Sequence, residues 1–424
     1  MAESNASETW DVILDEFQDS PLYLDSGDRL LVSATGSILM PVGGSDGIIA
    51  SSGNAIAICG AVAGASDYFG LWANEVVDVT VGVTGSFSGR RGIGIGYDHS
   101  EPGSIASTIR NAGAISGTQA AISSAHALVV NNVGVIQNTD MVFSRTAIRA
   151  SGADDTIKNA GKIHGEIDLN DGNDAYYGRE GFVSGGYIAL GGGDDRAHGG
   201  AGAEYLVGGI GNDVLDGGTG SDTAVFRAYD MTRPFTVDLS RTGSQDTGSG
   251  FDTLTGIENI IADQSHYRLI GNGGENLLAG GSGDDALQGG AGNDVLFGGQ
   301  GDDTLNDGAG VDTVKFDGVD YLPNHSPASH GESINLAKSK AQSTDNGRST
   351  FISVENLIGT AHNHCFTGSS LANVLDGQAG DDILNGGRGK GILKGGAGRG
   401  HFSVRRQAEQ EVESRQDHRL RDEG

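Results

Sequence analysis

Between 199 and 225, and again between 280 and 306, apolar residues recur at every ninth position. Within each nine-residue segment the eighth residue is apolar, the sixth is acidic, and the first, second and fourth are glycine. The segments GGIGNDVLD (208–216) and GGAGNDVLF (289–297) show this pattern. A short apolar stretch followed by a glycine turn predicts one short strand in every nine residues, with two strands forming an 18-residue coil of a parallel solenoid.

A looser repeat occupies residues 21–178. Short motifs such as NAGAI (111–115) and NVGVI (132–136) carry central glycines that are 21 to 28 residues apart, at Gly36, Gly60, Gly85, Gly113, Gly134 and Gly161. A drifting period of this length predicts the coils of a parallel β-helix with loops of variable length. Asn111, Asn132 and Asn159 each precede a glycine by two residues, which predicts an inward-facing asparagine ladder.

The sixth residue of each nonapeptide brings oxygen ligands into rows, because stacked coils place these side chains above one another. Carboxylates together with the carbonyls of glycine turns suit Ca²⁺. The segments match GGxGxDxUx and therefore resemble the hemolysin-type calcium-binding repeat of the RTX family, over about 190–400 and in part over 150–190. The resemblance implies several bound Ca²⁺ ions and a position-six ligand set of Asp174, Asp195, Glu204, Asp213, Asp222, Asn276, Asp285, Asp294, Asp303, Asp312 and Asp382.

One nonapeptide turn cannot supply the six to eight oxygens that Ca²⁺ takes, so position-six residues of alternate repeats should pair. The predicted pairs are Asp195 with Asp213, Glu204 with Asp222, Asn276 with Asp294, Asp285 with Asp303, and Asp294 with Asp312. In the last run, Asn373 faces Gly391 and Asp382 faces Gly400. That run is degenerate, and we expect it to bind calcium weakly or not at all.

Two related inserts separate the runs. Ile257-Glu258-Asn259 corresponds to Val354-Glu355-Asn356 at an offset of 97, which indicates a duplication. The predicted organisation is an acidic, weakly helical leader (1–20), a β-helix-like repeat domain (21–178), a first RTX β-roll with insert (179–270), a second with insert (271–367), a third, degenerate run (368–403) and a charged tail (404–424). The predicted fold class is all-β, with an N-terminal parallel β-helix followed by a calcium-dependent parallel β-roll solenoid.

The composition of the chain limits the classes of function and partner that it can have. The 424 residues include 73 glycines, only 37% are hydrophobic, and the formal charge is −29, which argues against nucleic acid as a partner. The N-terminus lacks the basic and apolar regions of a cleaved signal peptide, and no transmembrane segment is predicted. The two cysteines, Cys59 and Cys365, do not indicate a disulfide framework.

Three other motifs contain residue types that could carry chemistry. Residues 43–47 match the GxSxG of a nucleophile elbow but lie in a glycine-rich coil rather than a strand-turn-helix setting. Asp154, Asp168 and Asp171 could serve a polysaccharide-active β-helix, although calcium or turn roles suit them better. Residues 362–365 contain two histidines and a cysteine that could bind a soft metal. None of these motifs establishes an enzyme.

The resemblance implies a bacterial protein that is secreted without a cleaved signal peptide, through type I secretion machinery. Its β-rolls are expected to fold on Ca²⁺ outside the cell. Because repeats alone do not define an activity, the attached domain must decide the role. We expect a nonenzymatic surface, matrix or adhesion factor, with extracellular polysaccharide or a cell surface as the partner. The alternatives are a hemolysin-like or bacteriocin-like toxin, and a polysaccharide lyase or epimerase carried on the β-helix.

Overall fold

All regular structure in the described part of the protein is β-strand. The computed structural model describes residues 10–41, 44–96, 106–140, 144–227, 233–316, 330–344 and 347–404, and the backbone alone of 411–413 and 419–422. Two compact units result, an N-terminal unit (Met1–Asp222) and a C-terminal unit (Thr223–Gly424). Within the described ranges no helix is long and apolar enough to cross a membrane. The predicted all-β class with parallel sheets is confirmed.

The described residues of the N-terminal unit form 27 strands, most of them three to five residues long. In chain order they are β1 (Val12–Leu14), β2 (Phe17–Gln18), β3 (Leu22–Leu24), β4 (Arg29–Val32), β5 (Ser37–Leu39), β6 (Ile48–Ala50), β7 (Asn54–Ile58), β8 (Ala61–Ala63), β9 (Phe69–Ala73), β10 (Val77–Val81), β11 (Ser86–Ser88), β12 (Arg91–Ile95), β13 (Ser107–Asn111), β14 (Ala114–Gly117), β15 (Ala120–Ser124), β16 (Leu128–Asn132), β17 (Val135–Asn138), β18 (Thr146–Arg149), β19 (Thr156–Asn159), β20 (Lys162–His164), β21 (Glu166–Asp168), β22 (Ala175–Tyr177), β23 (Phe182–Ser184), β24 (Ile188–Gly192), β25 (Arg196–His198), β26 (Tyr205–Ile210) and β27 (Val214–Asp216).

Every third strand from β1 to β24 joins the same parallel sheet, so the chain winds as a three-sided β-helix. After β24 the coils keep two strands, with β25 and β27 in the first sheet and β26 in the third. The weakly helical leader predicted for 1–20 is wrong where the structure describes it. Val12 and Leu14 pair with Leu30 and Val32 of the next coil, so the short apolar run is a strand and its acidic neighbours lie outside the core.

The core of the N-terminal unit is a set of aliphatic columns. Side chains alternate along a strand, so every second residue points inward and aligned coils stack these residues. In the first sheet the column, at most 2% exposed, runs through Leu30, Ile56, Val79, Ile109, Val130, Ile157, Tyr176, Ala197 and Leu215. This thin interior is what a chain with few hydrophobic residues can fill.

The predicted asparagine ladder is confirmed. Asn111 Nδ2 donates to Asn132 Oδ1 at 2.8 Å, and Asn132 Nδ2 donates to Asn159 Oδ1 at 2.8 Å. All three side chains are buried. Asn132 Oδ1 also accepts the Gly134 N–H at 3.2 Å, which closes the turn at the coil corner. The ladder therefore holds three successive coils together without any cation.

Replacement of Asn132 by alanine should destabilise the N-terminal unit by about 3 kcal/mol, because it removes two buried hydrogen bonds and leaves their partners unsatisfied. Asn131→Ala is the matched control, since Asn131 lies on the same strand and alternates to the opposite face. Urea unfolding in the presence of a chelator measures the free energy of unfolding of both variants. The transition is followed by a spectroscopic signal that arises from the N-terminal unit. Equal losses for the two variants would contradict a structural role for the ladder.

In the C-terminal unit, the part of the chain that the structure describes forms 22 further strands. They are β28 (Thr223–Phe226), β29 (Phe235–Asp238), β30 (Gln245–Asp246), β31 (Phe251–Thr255), β32 (Asn259–Ala262), β33 (Tyr267–Ile270), β34 (Leu277–Ser282), β35 (Ala286–Ala291), β36 (Val295–Gln300), β37 (Thr304–Ala309), β38 (Thr313–Lys315), β39 (Ser333–Asn335), β40 (Gln342–Thr344), β41 (Gly347–Ile352), β42 (Asn356–Ile358), β43 (Cys365–Thr367), β44 (Asn373–Asp376), β45 (Ile383–Asn385), β46 (Gly391–Lys394), β47 (His401–Val404), β48 (Glu411–Glu413) and β49 (Arg419–Asp422).

Here the coil has two strands. One strand of each coil joins a single parallel sheet through β28, β32, β34, β36, β38, β42, β44, β46 and β48. The other joins a sheet formed by β29, β33, β35, β37 and β41 or a sheet formed by β39, β43, β45, β47 and β49. Leu277 pairs with Val295, and Val295 pairs with Thr313, so each coil is 18 residues long as the nonapeptide pattern predicts.

The two inserts share one local structure, which supports the inferred duplication. Gln245 accepts the Asp238 N–H at 2.8 Å and donates to the Asp238 carbonyl at 3.2 Å. Gln342, 97 residues further on, makes the same two bonds to Asn335, at 2.8 and 3.0 Å. Each insert also adds one antiparallel pairing, β30 with β31 and β40 with β41. The parallel register of the coils continues past each insert.

Candidate metal centre

The position-six residues lie inside the turns rather than on a solvated face. All eleven predicted ligands are between 0% and 3% exposed, namely Asp174, Asp195, Glu204, Asp213, Asp222, Asn276, Asp285, Asp294, Asp303, Asp312 and Asp382. Carboxylates are almost never buried to this degree without a compensating partner. A merely solvated acidic face therefore does not describe these residues.

The structure brings together all five pairs that the repeat spacing predicted. In each pair the backbone N–H of the earlier residue donates to a side-chain oxygen of the later one. The five N···O distances are 2.9 Å for Asp195 and Asp213, 2.8 Å for Glu204 and Asp222, 2.9 Å for Asn276 and Asp294, 3.1 Å for Asp285 and Asp303, and 2.8 Å for Asp294 and Asp312. One carboxylate oxygen per turn thus fixes the next coil in register.

The second carboxylate oxygen has a different environment. In Asp174, Asp195, Asp285, Asp294, Asp312 and Asp382 this Oδ2 atom is buried and has no hydrogen-bond partner among the described residues. In Asp285, Asp294 and Asp382 this oxygen lies against the first glycine of its own nonapeptide, where an added Cβ would overlap it, at Gly280, Gly289 and Gly377. A buried, unpartnered anionic oxygen is expensive in free energy unless a cation compensates it. The donor set fits a hard cation such as Ca²⁺.

Backbone carbonyls would have to complete any calcium shell. In the described part of the chain no three His, Cys, Asp or Glu side chains form a cluster that could hold a metal ion on their own. Gly290 and Gly292 have φ values of 109° and 123°, a region that glycine enters without strain. The carbonyls of such turns would supply the remaining oxygens, so side chains and main chain together would hold a calcium ion.

Burial raises the pKa values of several carboxyl groups in the row. The pKa rises to about 9 for Asp174, to about 8 for Asp285 and to about 6 for Asp294 and Asp303. Desolvation is the main cause in each case, and neighbouring carboxylates raise these pKa values further. The ionised form of these side chains therefore requires a compensating positive charge inside the turns.

The acidic row begins earlier than the regular nonapeptides. Asp155 N donates to Asp174 Oδ1 at 2.7 Å, and Asp174 N donates to Asp195 Oδ1 at 2.6 Å. Asp155 in turn accepts the Leu128 N–H at 2.6 Å. Asp155 shows the same acid-x-apolar pattern in the sequence, which predicts the ligand position for it as for Asp174, although it is not among the eleven predicted ligands. The three-sided β-helix thus already contains the turn geometry of the β-roll.

Two acidic residues near the second insert were missed by the sequence reasoning. Asp307 occupies the first position of its nonapeptide, where the pattern has glycine, and it is fully buried. Glu355 lies in the second insert and takes the position-six role, because its Oε2 accepts the Asp312 N–H at 3.1 Å. A search restricted to the sixth position cannot find either one.

Asn276 offers less to a cation than its acidic neighbours. Its amide nitrogen donates to the Glu258 carbonyl at 2.7 Å, and its Oδ1 accepts the Asn272 N–H at 2.8 Å. Asn373 makes the equivalent bond to the Glu355 carbonyl, also at 2.7 Å. The remaining polar atom of each side chain is Oδ1, and this oxygen already accepts a backbone N–H within its own turn.

The histidine-rich segment is built as a turn rather than as a zinc ligand set. His364 stands at the sixth position, and its two ring nitrogens each lie 2.8 Å from a backbone nitrogen, of Glu332 and of Thr360. Burial lowers the pKa of His364 to about 4, so the ring is neutral. It stacks on Phe366 with ring centroids 5.0 Å apart. The imidazole therefore replaces the position-six carboxylate as a hydrogen-bond acceptor.

The third run ends in an apolar turn. Gly391 and Gly400 occupy the sixth position, and a Cβ added at Gly400 would lie 3.1 Å from the ring of Phe402. The same ring lies 2.8 Å from a Cβ added at Gly395, the first residue of that repeat. An aromatic ring thus occupies the space between the first and sixth residues that a carboxylate occupies in the earlier repeats.

We expect Asp294→Ala to remove at least one bound calcium ion and Asp382→Ala to leave the number nearly unchanged. Asp294 has acidic or amide partners on both neighbouring coils, whereas Asp382 is followed by Gly400. Atomic-emission calcium counts on dialysed protein, with both variants at equal concentration, measure the difference. A full-occupancy ion located between 380 and 400 would contradict the expectation.

The fold and the buried acidic rows together define a calcium-binding β-roll. The RTX calcium-binding nonapeptide repeat matches the chain in four copies, at 190–224, 270–305, 288–318 and 367–401. The chain accordingly contains RTX calcium-binding nonapeptide repeats, and these repeats bind several Ca²⁺ ions. Residues 1–189 lie outside these matches. No curated protein matches the chain.

Proposed function

We propose that this is an exported protein whose β-rolls fold when they bind Ca²⁺ outside the cell. The observation that carries the proposal is the row of buried, unpartnered Oδ2 atoms that recurs on successive coils. The ligands are the position-six residues predicted from the sequence, joined by Asp155, and the turn carbonyls complete each shell. The ion supplies positive charge to carboxylates that otherwise repel one another.

Calcium concentration would then determine where the protein folds. Extracellular calcium modules typically have Kd values of about 10⁻⁴ to 10⁻³ M, far above the free calcium of a cytosol. A glycine-rich chain with a thin core gains too little from burial to offset its conformational entropy without the ion. The repeats would therefore stay unfolded during export and fold on arrival, which suits type I secretion.

We further propose a nonenzymatic surface or matrix role for the N-terminal β-helix. The acids that a polysaccharide-active enzyme could use are engaged in structural contacts. Asp154 Oδ1 accepts the Asn173 N–H at 2.7 Å, and Asp168 lies 3.4 Å from the Arg149 guanidinium. Within the GxSxG segment, Gly43 lies outside the described residues, and Asp46 accepts the Phe69 N–H at 2.8 Å. These contacts favour scaffold roles for the residues.

Screening the calcium-loaded protein on a glycan array, in parallel with an erythrocyte lysis assay, tests the role. We expect calcium-dependent retention on polysaccharide and no lysis, because the described residues form short strands and include no apolar helix of the kind that a pore-forming toxin inserts into a membrane. The same protein in excess chelator is the control. Lysis without glycan retention would support the toxin alternative, and shortening of a bound polysaccharide would support the lyase alternative.

A further inference from the structure

An open cleft lies in the C-terminal unit, beside the second insert. Its volume is about 650 Å³, within the range of about 300 to 1,000 Å³ that small-molecule sites occupy. The described residues that line it come from two stretches of the chain, 335–354 in the insert and 367–388 where the third run begins. None of these lining residues is acidic, so the cleft has no part in the proposed calcium sites.

The floor of the cleft is a row of polar side chains. Asn335, Thr367 and Asn385 line the cleft and are in register on the neighbouring strands β39, β43 and β45. Each follows the buried residue of its strand, so all three side chains point away from the core. Neighbouring strands are about 4.8 Å apart, and the row therefore places one polar group on each of three successive coils.

The two asparagines present hydrogen-bond donors to the cleft. Asn335 Oδ1 accepts the Ala337 N–H at 2.9 Å, and Asn385 Oδ1 accepts the Gly387 N–H at 3.0 Å. Because the turns use both oxygens, the Nδ2 amino group of each side chain has no partner among the described residues. Half-buried amino groups in this state favour a ligand that presents oxygen acceptors.

Arg388 gives the cleft a positive charge. It is the only charged residue among the described residues that line the cleft. Its backbone N–H donates to the Ser369 carbonyl at 3.0 Å, which fixes the turn that carries the exposed side chain. Lys338 and Lys340 are exposed on the turn that follows Ala337. The cleft is thus a basic place on a chain whose formal charge is −29, and it favours an anionic ligand.

The first insert supplies a comparison within the same chain. At the offset of 97, Asp238 corresponds to Asn335 and Ala291 corresponds to Arg388. These two positions together carry a formal charge of −1 in the first copy and +1 in the second. The glutamine that bonds the backbone of Asp238 or Asn335 is nevertheless the same in both copies. The second copy therefore differs from the first in the sign of its charge and not in its local fold.

Ser353 places a strained residue at the edge of the cleft. Its φ is 63°, and the equivalent residue of the first insert is Gly256, with a φ of 57°. Glycine enters this left-handed region without strain, whereas serine does not. Strained residues of this kind cluster at ligand sites. Ser353 brings to the cleft a hydroxyl group that glycine cannot supply.

We propose that this cleft binds a carboxylated sugar unit of an extracellular polysaccharide. Arg388 faces the carboxylate, and the amino groups of Asn335 and Asn385 donate to hydroxyl and ring oxygens of the sugar. The inference rests on the proposed binding to polysaccharide, and it assigns a contact to the C-terminal unit and a charge to the sugar.

An acidic peptide fits the same cleft less well. A peptide that adds to a sheet needs a free strand edge. The strands β43 and β45 are paired on both sides, and on the edge strand β39 the Gln342 side chain already occupies the N–H and the carbonyl of Asn335. A sugar instead needs separate donors for its several oxygens, and the amides, the serine hydroxyl and the guanidinium supply them.

The test is fluorescence polarisation of a labelled tetrasaccharide that contains glucuronate, measured with the full chain in saturating calcium. The same tetrasaccharide with its carboxylates reduced to alcohols is the neutral control. Arg388→Ala and Asn335→Asp each introduce the residue of the first insert, so both variants should fold. Arg399→Ala is the matched control variant. Arg399 is exposed on the same run outside the cleft, and its backbone N–H is likewise bonded, to Asp381 Oδ1 at 2.8 Å.

We expect the unmodified protein and Arg399→Ala to bind the acidic tetrasaccharide equally. Arg388→Ala and Asn335→Asp should each bind it about tenfold or more weakly, as should the unmodified protein with the neutral control. Equal binding of the two tetrasaccharides, equal losses in Arg388→Ala and Arg399→Ala, or no binding of the acidic one would overturn the inference. Displacement by acetate at the same concentration would show a site for simple anions and would overturn the assignment to a sugar.

The glycan array separates this inference from the proposed function. Retention that persists unchanged in Arg388→Ala and Asn335→Asp would overturn the role of the cleft and leave the proposed function intact. If the unmodified, calcium-loaded protein were retained on no glycan, the proposed surface role itself would fall.

Discussion

Chelation of calcium is expected to unfold the nonapeptide runs of the C-terminal unit while the first coils of the N-terminal unit stay folded. The runs carry buried carboxylates on successive coils, and these repel one another without a cation. Residues 54–95 instead form coils with aliphatic columns and no acidic row. Hydrogen exchange resolved by peptide should show full exchange of 277–309 in chelator and lasting protection of 54–95.

Calcium at about millimolar concentration should restore protection of 277–309, and magnesium should not. Mg²⁺ demands a compact octahedral shell and gives up its water reluctantly, whereas turns built from carbonyls and carboxylates suit the larger, more variable shell of Ca²⁺. Magnesium at the same concentration is therefore the matched control. Equal protection of both regions in chelator, or equal loss of both, would refute the distinction between the two kinds of coil.

The nonapeptide period predicted much of the fold because each repeat contains the glycine, acidic and apolar residues that determine its own turn and strand. A fixed offset of 18 residues between paired strands follows once glycine, acid and apolar residues recur in phase, and Leu277, Val295 and Thr313 pair as expected. Because the repeats are in phase, the sequence alone predicted that the position-six residues of alternate repeats lie next to one another. The asparagine ladder followed equally directly, since aligned coils bring Asn111, Asn132 and Asn159 into contact.

The predictions from the sequence were wrong or incomplete where a residue's role depends on residues that are distant in the sequence but adjacent in the fold. The acidic residues near the N-terminus concealed a strand, because Val12 and Leu14 become apolar partners only when Leu30 and Val32 stack on them. The drifting period did not predict three strands per coil, because loops of different length obscure the positions at which the chain passes from one sheet to the next. Asp307 was missed because the repeat pattern directs attention to the sixth position, whereas Asp307 is a buried acid at the first position.

The chelated protein should be more structured in acid than in mild base. Asp155 and Asp285 have pKa values raised to about 8, and Asp174 has a pKa raised to about 9, mainly by burial. An unfolded aspartate titrates near about 3.9, so the folded protein binds more protons between that value and the raised pKa. Stability from these groups is therefore fully present below about pH 4 and is lost as pH rises toward about 9. Far-UV circular dichroism in chelator should show β signal near about pH 5 that declines by about pH 9.

Calcium should reverse this dependence, because the ion binds the ionised carboxylates and competes with protons. The calcium concentration at half-maximal β signal should therefore fall as pH rises. Asp285→Asn is the diagnostic variant, since asparagine already occupies the sixth position at Asn276 and Asn373 and fits the turn. In chelator near about pH 8 it should retain more structure than the unmodified protein, and in calcium less. A variant that shifted in the same direction under both conditions would show that Asp285 acts through packing rather than through its charge.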